Sequence, residues 1–166
     1  YIISPLLWIL LNIISLFNAK INERRQNYLK FFEATKIKIK RTNKRIILFH
    51  AASNGELEQL KPIFRLLNRE KYFILLSISS PSSVNHIPNK LVDSFCYQAF
   101  DFPWEVSKFF KEINITKYII TRHDIWPNHI IISKKYSVEL FLINGNLPKK
   151  SKRLFPVIKS LYNYLF

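Results

Sequence analysis

Ile46-Ile47-Leu48-Phe49-His50-Ala51-Ala52-Ser53-Asn54-Gly55-Glu56 is the stretch whose reading decides the fold of this chain. Four bulky apolar residues read as a buried strand; a run of small residues then turns the chain into a helix that starts near Ser53. In an open α/β sheet, ligands bind in the crevice outside the carboxyl ends of the strands, so this turn delivers the Glu56 carboxylate to the edge where chemistry is done. Ser53-Asn54-Gly55-Glu56 also has the spacing of a capping box, in which Ser53 accepts from a free helix N–H and Glu56 reaches back to another. Spacing alone leaves both roles open. His50-Ala51-Ala52 favours a ligand, because small residues leave space above the sheet instead of filling it. The chain has only two glycines, Gly55 and Gly145. Each follows an expected strand, where a positive φ or a close backbone approach is anticipated.

Outward from this unit the pattern alternates. Leu57, Leu60, Phe64 and Leu67 recur at helical spacing, with Pro62 expected to kink the helix or mark its effective start. A strand is expected over 72–78, then a Ser-rich loop over 79–83, a short element ending near Leu91, and a strand over 95–99. Val106, Phe109, Phe110 and Ile113 make a helical stripe, 118–121 a strand, 128–135 a short helix and 139–143 the last strand. Repeated strand and helix argue an α/β fold with a Rossmann-like, doubly wound parallel sheet and flanking helices. No Gly-x-Gly-x-x-Gly fingerprint is present, so dinucleotide binding is not expected.

The 166 residues are 48% hydrophobic and 15% aromatic, enough for one domain with a sizeable core. Cys96 is the single cysteine, which excludes an internal disulfide framework and fits a reducing compartment. Net charge is +15, which calls for an anionic partner. Between Lys20 and Arg45 stand ten basic and two acidic residues, directly after the uncharged apolar stretch 1–17. That order suits an anionic membrane surface, at about 1 kcal/mol per Lys or Arg near it. The expected organisation is an apolar anchor over 1–19, a basic juxtamembrane segment over 20–45 and the α/β domain over 46–166. Stretch 1–17 is at the lower limit of length for a bilayer span. A signal peptide would carry its basic residues before the apolar run, whereas here they follow it; if the segment spans, that side faces the cytoplasm. A helix buried against the domain is the competing reading.

The residues at this point carry a resemblance. His50-Ala51-Ala52-Ser53-Asn54-Gly55-Glu56, Ser80-Pro81-Ser82-Ser83, Phe100-Asp101-Phe102-Pro103-Trp104, Asp124-Ile125-Trp126-Pro127-Asn128 and Asn144-Gly145-Asn146-Leu147-Pro148-Lys149-Lys150-Ser151 follow one another as in the 3-deoxy-D-manno-octulosonic acid (Kdo) transferases. The chain resembles the N-terminal half of that family. The resemblance implies the acceptor-side domain of a GT-B glycosyltransferase, anchored at the cytoplasmic face of the bacterial inner membrane. The C-terminal donor-binding domain, which would hold most of CMP-Kdo, is expected to lie outside this sequence. It implies Glu56 as the general base that takes a proton from the acceptor hydroxyl, and a lipid A precursor as acceptor. Acceptor contacts are expected at His50, Ser53, Asn54, Gly55, Ser80, Ser82, Asp124, Asn128, Asn144 and Asn146. No cofactor and no metal are expected.

Three departures from the family pattern stand out. Arg122 and His123 occupy positions where the family has an acidic residue and a threonine, Ser83 stands for a glycine, and Asn146 for an arginine. Trp126 is expected in the core, and Asp124 and Asn128 as candidate caps of the following helix. His50, His86, His123 and His129 match no zinc spacing. A basic nucleic-acid-binding domain is the rival class, without a recognised motif, and an anchored half-enzyme that binds lipid without catalysis is a third reading.

Overall fold

The structure, a computed structural model, describes residues 4–122 and 124–145. His123 and Asn146 lie outside the described residues. Five strands, β1 (Arg45–Ala51), β2 (Tyr72–Ile78), β3 (Ser94–Tyr97), β4 (Ile115–Thr121) and β5 (Glu139–Ile143), form one sheet in the order β3-β2-β1-β4-β5. Every pair is parallel. Strands run outward in both directions from the middle of the sheet, so the order reverses between β1 and β4. In open α/β sheets such a reversal marks the place outside the carboxyl ends of the strands where ligands bind.

Side-chain parity along β1 separates two cores. Ile46 and Leu48 pack with Phe32, Val106, Phe109, Phe110 and Ile132 on one face, and Ile47, Phe49 and Ala51 pack with Leu57, Leu60 and Phe64 on the other. Burial on both faces explains why the central strands read as unbroken apolar runs. Helix α3 (Asn54–Leu66) covers the second face; α4 (Pro103–Ile113) and α5 (Pro127–Lys135) cover the first. Pro62 sits inside α3 without setting its start, because its ring faces solvent, where the carbonyl it leaves unpaired can be hydrated. A 3-10 turn over Pro81–His86 follows β2. Neither Gly55 nor Gly145 adopts a positive φ, contrary to the sequence expectation. Space, not backbone conformation, distinguishes them: a Cβ on Gly55 would meet nothing within 4 Å, and one on Gly145 would meet Leu142 Cδ2 at 3.2 Å.

The N-terminal region is two helices, α1 (Ser4–Phe17) and α2 (Ala19–Ile39), joined at Asn18 with a bend of 112°. Asn18 caps α2 by accepting from the Ile21 N–H at 3.2 Å. Arg25 pins the elbow through the Ser15 hydroxyl at 3.3 Å and the Asn12 carboxamide oxygen. Helix α2 packs on the domain: Phe32 is buried in the core, and the Thr35 hydroxyl lies 2.9 Å from that of Ser94 and donates to the Phe95 carbonyl at 3.0 Å. Helix α1 is not buried against the domain. Leu6, Leu7, Ile9, Leu10, Ile13, Leu16 and Phe17 are all exposed, and Ser15 is its one buried residue among those described. At 14 residues it is about 21 Å long. Among the described residues no single helix is long and apolar enough to cross a membrane; α1 and α2 meet that measure only together, as a bent pair.

Candidate active site

The turn after β1 forms both arms of the expected cap. Ser53, in extended backbone, accepts from the Glu56 N–H at 3.4 Å, and Glu56 Oε2 accepts from the Ala52 N–H at 2.7 Å. Glu56 is buried, and its Oε1 makes no hydrogen bond among the described residues. The preceding Gly55 is exposed and would have room for a Cβ, and Asn54 keeps a buried Oδ1 without a partner. Capping and an available carboxylate oxygen therefore coexist in one residue. Glu58, on another face of the helix, is exposed and paired with Lys61.

Across the switch point, His50 at the end of β1 meets Asp124 just beyond β4. Nε2 of the fully buried imidazole lies 2.6 Å from Asp124 Oδ2. A carboxylate only accepts, so Nε2 carries the proton of this bond. Nδ1 is 3.0 Å from the Ser77 hydroxyl, whose one proton goes either to that nitrogen or to the Phe49 carbonyl at 3.2 Å. Ser77 is fully buried, with no surface at which a substrate could meet its hydroxyl, so Ser77-His50-Asp124 is a brace and not a nucleophilic triad. Burial raises the Asp124 pKa, but the hydrogen bonds from His50 and the Trp126 indole, with the Arg24 guanidinium nearby, outweigh it and hold the group below the usual carboxylate range.

Several expected site residues turn elsewhere. Asn128 donates from Nδ2 to the Asp101 carbonyl at 2.6 Å, and Asp101 accepts from the backbone N–H groups of Asn128 and His129 at 3.3 and 3.2 Å. The free N–H groups of α5 are thus capped from 27 residues away, and neither Asp124 nor Asn128 caps that helix. Burial pushes Asp101 up to about 6 despite those bonds. Ser80 and Ser82 pair their hydroxyls at 2.8 Å on the exposed loop after β2, and Ser83 is buried with Oγ unpartnered. Asn144, at φ 52°, donates to Gln59 of α3 at 3.1 Å. Trp126 is 42% exposed and not a core residue, because its backbone lies in the rim turn ahead of α5 and not on a covered face.

Arg24, Ser79 and the group Gln98, Tyr118 and His129 escaped the sequence reading. Arg24 of α2 donates to the Gln98 carbonyl at 2.6 Å and lies 4.1 Å over the Phe100 ring; burial lowers its pKa to about 10. The Ser79 hydroxyl is 3.5 Å from His50 Nε2. Buried His129 accepts from Gln98 Nε2 at 3.0 Å and donates to the Ala99 carbonyl at 3.1 Å; burial depresses its pKa to about 3 and keeps it neutral. A signal for α2 was present, since Tyr28, Phe31, Phe32, Thr35 and Ile39 recur at three- and four-residue spacing. His86, by contrast, stands exposed on the 3-10 turn.

Fold and site define an α/β domain with polar side chains gathered at the carboxyl edge of its parallel sheet, where the strand order reverses. The profile of the family described as 3-Deoxy-D-manno-octulosonic-acid transferase (kdotransferase) matches residues 15–166, and the chain belongs to that family. It is similar to the 3-deoxy-D-manno-octulosonic acid transferases of Chlamydia trachomatis serovar D and serovar A, each 28% identical over 123 residues that cover 70% of this chain. The match covers 28% of each relative's length.

Proposed function

We propose that this chain is the acceptor-side part of a glycosyltransferase that moves Kdo from CMP-Kdo to a lipid A precursor in lipopolysaccharide synthesis. The observation that carries the reading is a buried carboxylate, Glu56, next to the exposed Gly55 in the turn after β1, a strand that borders the switch point. A sugar hydroxyl is a poor nucleophile, and a carboxylate within hydrogen-bond reach accepts its proton as the bond to the anomeric carbon of Kdo forms and CMP departs. Glu56 Oε2 is fixed by the Ala52 N–H, which leaves Oε1 for that proton. Asp124, held below the ordinary carboxylate range, is the weaker base and serves in orientation. His50 has both ring nitrogens engaged by protein groups and supports the site without meeting the acceptor directly.

Helices α1 and α2 support a location at a membrane. An exposed apolar helix joined to a helix carrying the exposed Lys20, Lys30 and Lys38 suits an interfacial anchor on an anionic membrane, at the cytoplasmic face of the inner membrane. A phosphorylated lipid acceptor would be met at that surface. No specific nucleic acid is assigned as a partner. The test is transfer: the intact protein with CMP-Kdo and a lipid A precursor should give a product heavier by one Kdo residue by mass spectrometry. CMP-Kdo consumption without glycolipid product, or none at all, overturns the reading.

A further inference from the structure

Two glycines serve 166 residues, where ordinary usage of about 7% would supply about a dozen. Glycine is scarce in this chain, so each place that keeps one calls for a reason. Gly145 has one in packing: a Cβ there would crowd Leu142 Cδ2 at 3.2 Å and lie 3.8 Å from the Arg122 carbonyl. Gly55 has none in the fold. It is the second residue of α3, its φ is not positive, and a Cβ would meet nothing within 4 Å. Alanine is the better helix residue, because glycine surrenders more backbone freedom on folding. Local structure alone favours a side chain at position 55.

The surroundings of Gly55 point to a ligand. The Glu56 side chain turns back along the start of the helix to accept from the Ala52 N–H at 2.7 Å, so its carboxylate lies beside the turn that precedes the glycine. Glu56 is only 6% exposed, yet its Oε1 makes no hydrogen bond among the described residues, and Asn54, on the other side of the glycine, buries an Oδ1 without a partner. Unpaired polar atoms at a buried position require a partner from outside the chain or a cost in stability. Gly55 itself is exposed. Helical Cα–Cβ bonds tilt toward the helix N-terminus, so a side chain at this position would lean over the same turn. With neither φ nor packing to account for it, the glycine keeps room for the close approach of another molecule.

We propose that Gly55 is a specificity-determining position, whose bare Cα lets the sugar ring of the acceptor lie against the turn so that its attacking hydroxyl reaches Glu56 Oε1. This rests on the reading of the chain as the acceptor side of a sugar transferase. A glycine kept for the ligand and one kept for the fold respond in opposite ways to substitution. In the intact protein, Gly55→Ala should melt at or above the parent temperature, while kcat/KM for the lipid A precursor falls roughly tenfold or more and the KM for CMP-Kdo is unchanged. Gly55→Gln, with a longer side chain that helices also accept, should lose more. Binding of the precursor in detergent micelles, followed by calorimetry, should weaken in the same order. Acceptor kinetics unmoved by both substitutions, or a loss shared equally with the donor, overturns the proposal. A lower melting temperature for Gly55→Ala, or its failure to fold, overturns it too, because the glycine would then serve the fold. A parent that binds the precursor but transfers no Kdo sinks the functional reading alone, and the binding series still decides the role of Gly55; a parent that binds no precursor takes both down.

Discussion

His50 Nε2 lies 2.6 Å from Asp124 Oδ2 and so ties the end of β1 to the segment after β4 across the point where strand order reverses. Removing the carboxylate would leave a fully buried imidazole N–H without its acceptor. Asp124→Ala should therefore cost about 1–3 kcal/mol of stability by denaturant unfolding. The pH dependence has a defined sign. A carboxylate whose folded pKa is depressed contributes stability above its unfolded value, near 3.8, and loses it as pH falls through the lower folded value. Removing Asp124 should flatten the unfolding curve on the acid side of pH 4 and leave its shape near neutrality unchanged.

Asp101 predicts the opposite slope. Burial raises it from 3.8 to about 6, so the folded state binds a proton more tightly than the unfolded chain. Stability attributable to this group is greatest below the unfolded value and declines as pH climbs from about 4 to about 6. Asp101→Asn removes the charge and keeps one oxygen to accept from one of the Asn128 and His129 N–H groups, which bond to different oxygens of the carboxylate. Thermal unfolding should lose its decline over that window, with stability at pH 7 equal to the parent's or higher by on the order of 1–3 kcal/mol. A clear drop at pH 7 would mean that the ionised cap outweighs its desolvation.

The sheet was legible because parallel strands buried on both faces read as unbroken apolar runs, such as Ile46 to Phe49 and Phe73 to Leu76. Helix α2 was not, because its basic residues drew the reading toward a membrane and hid the stripe Tyr28, Phe31, Phe32, Thr35 and Ile39 that packs on the domain. The candidate site divides along the same line. Local chemistry was readable: Ser53 and Glu56 cap α3 as their spacing requires. Long-range pairing was not, since His50 and Asp124 are 74 residues apart and meet only because β4 lies beside β1. Alternation of strands and helices does not give strand order. The same limit hid the capping of α5 by Asp101 and sent Trp126 to the core in the sequence reading.

Helix α1 leads to a prediction on membranes. Leu10 and Ile13 are each 50% exposed, and burying such side chains in lipid is worth on the order of 1 kcal/mol or more apiece. Leu10→Asp and Ile13→Asp should each weaken binding to anionic vesicles roughly tenfold or more, measured by sedimentation, without changing thermal unfolding in solution. Binding by the parent should also fall as salt rises, because screening shortens the reach of the basic residues on α2. Vesicle binding indifferent to both substitutions would locate the membrane contact elsewhere.

Glu56 joins two roles in one side chain, and a pair of substitutions separates them. The Oε2 atom satisfies the Ala52 N–H at the start of α3, a task that a glutamine carboxamide oxygen performs as well, since a capping box accepts Gln in that position. Glu56→Gln should therefore unfold within about 0.5 kcal/mol of the parent. A carboxamide cannot take a proton from a sugar hydroxyl, so transfer by the intact protein should fall about 10²–10⁴-fold while acceptor binding persists. Glu56→Ala should lose transfer as well, and in addition lose about 0.5–2 kcal/mol of stability with the cap. Steady-state rates beside denaturant unfolding for both variants give the answer. Full transfer by Glu56→Gln would reduce Glu56 to a helix cap and leave the general base to be sought in another residue at the carboxyl edge of the sheet.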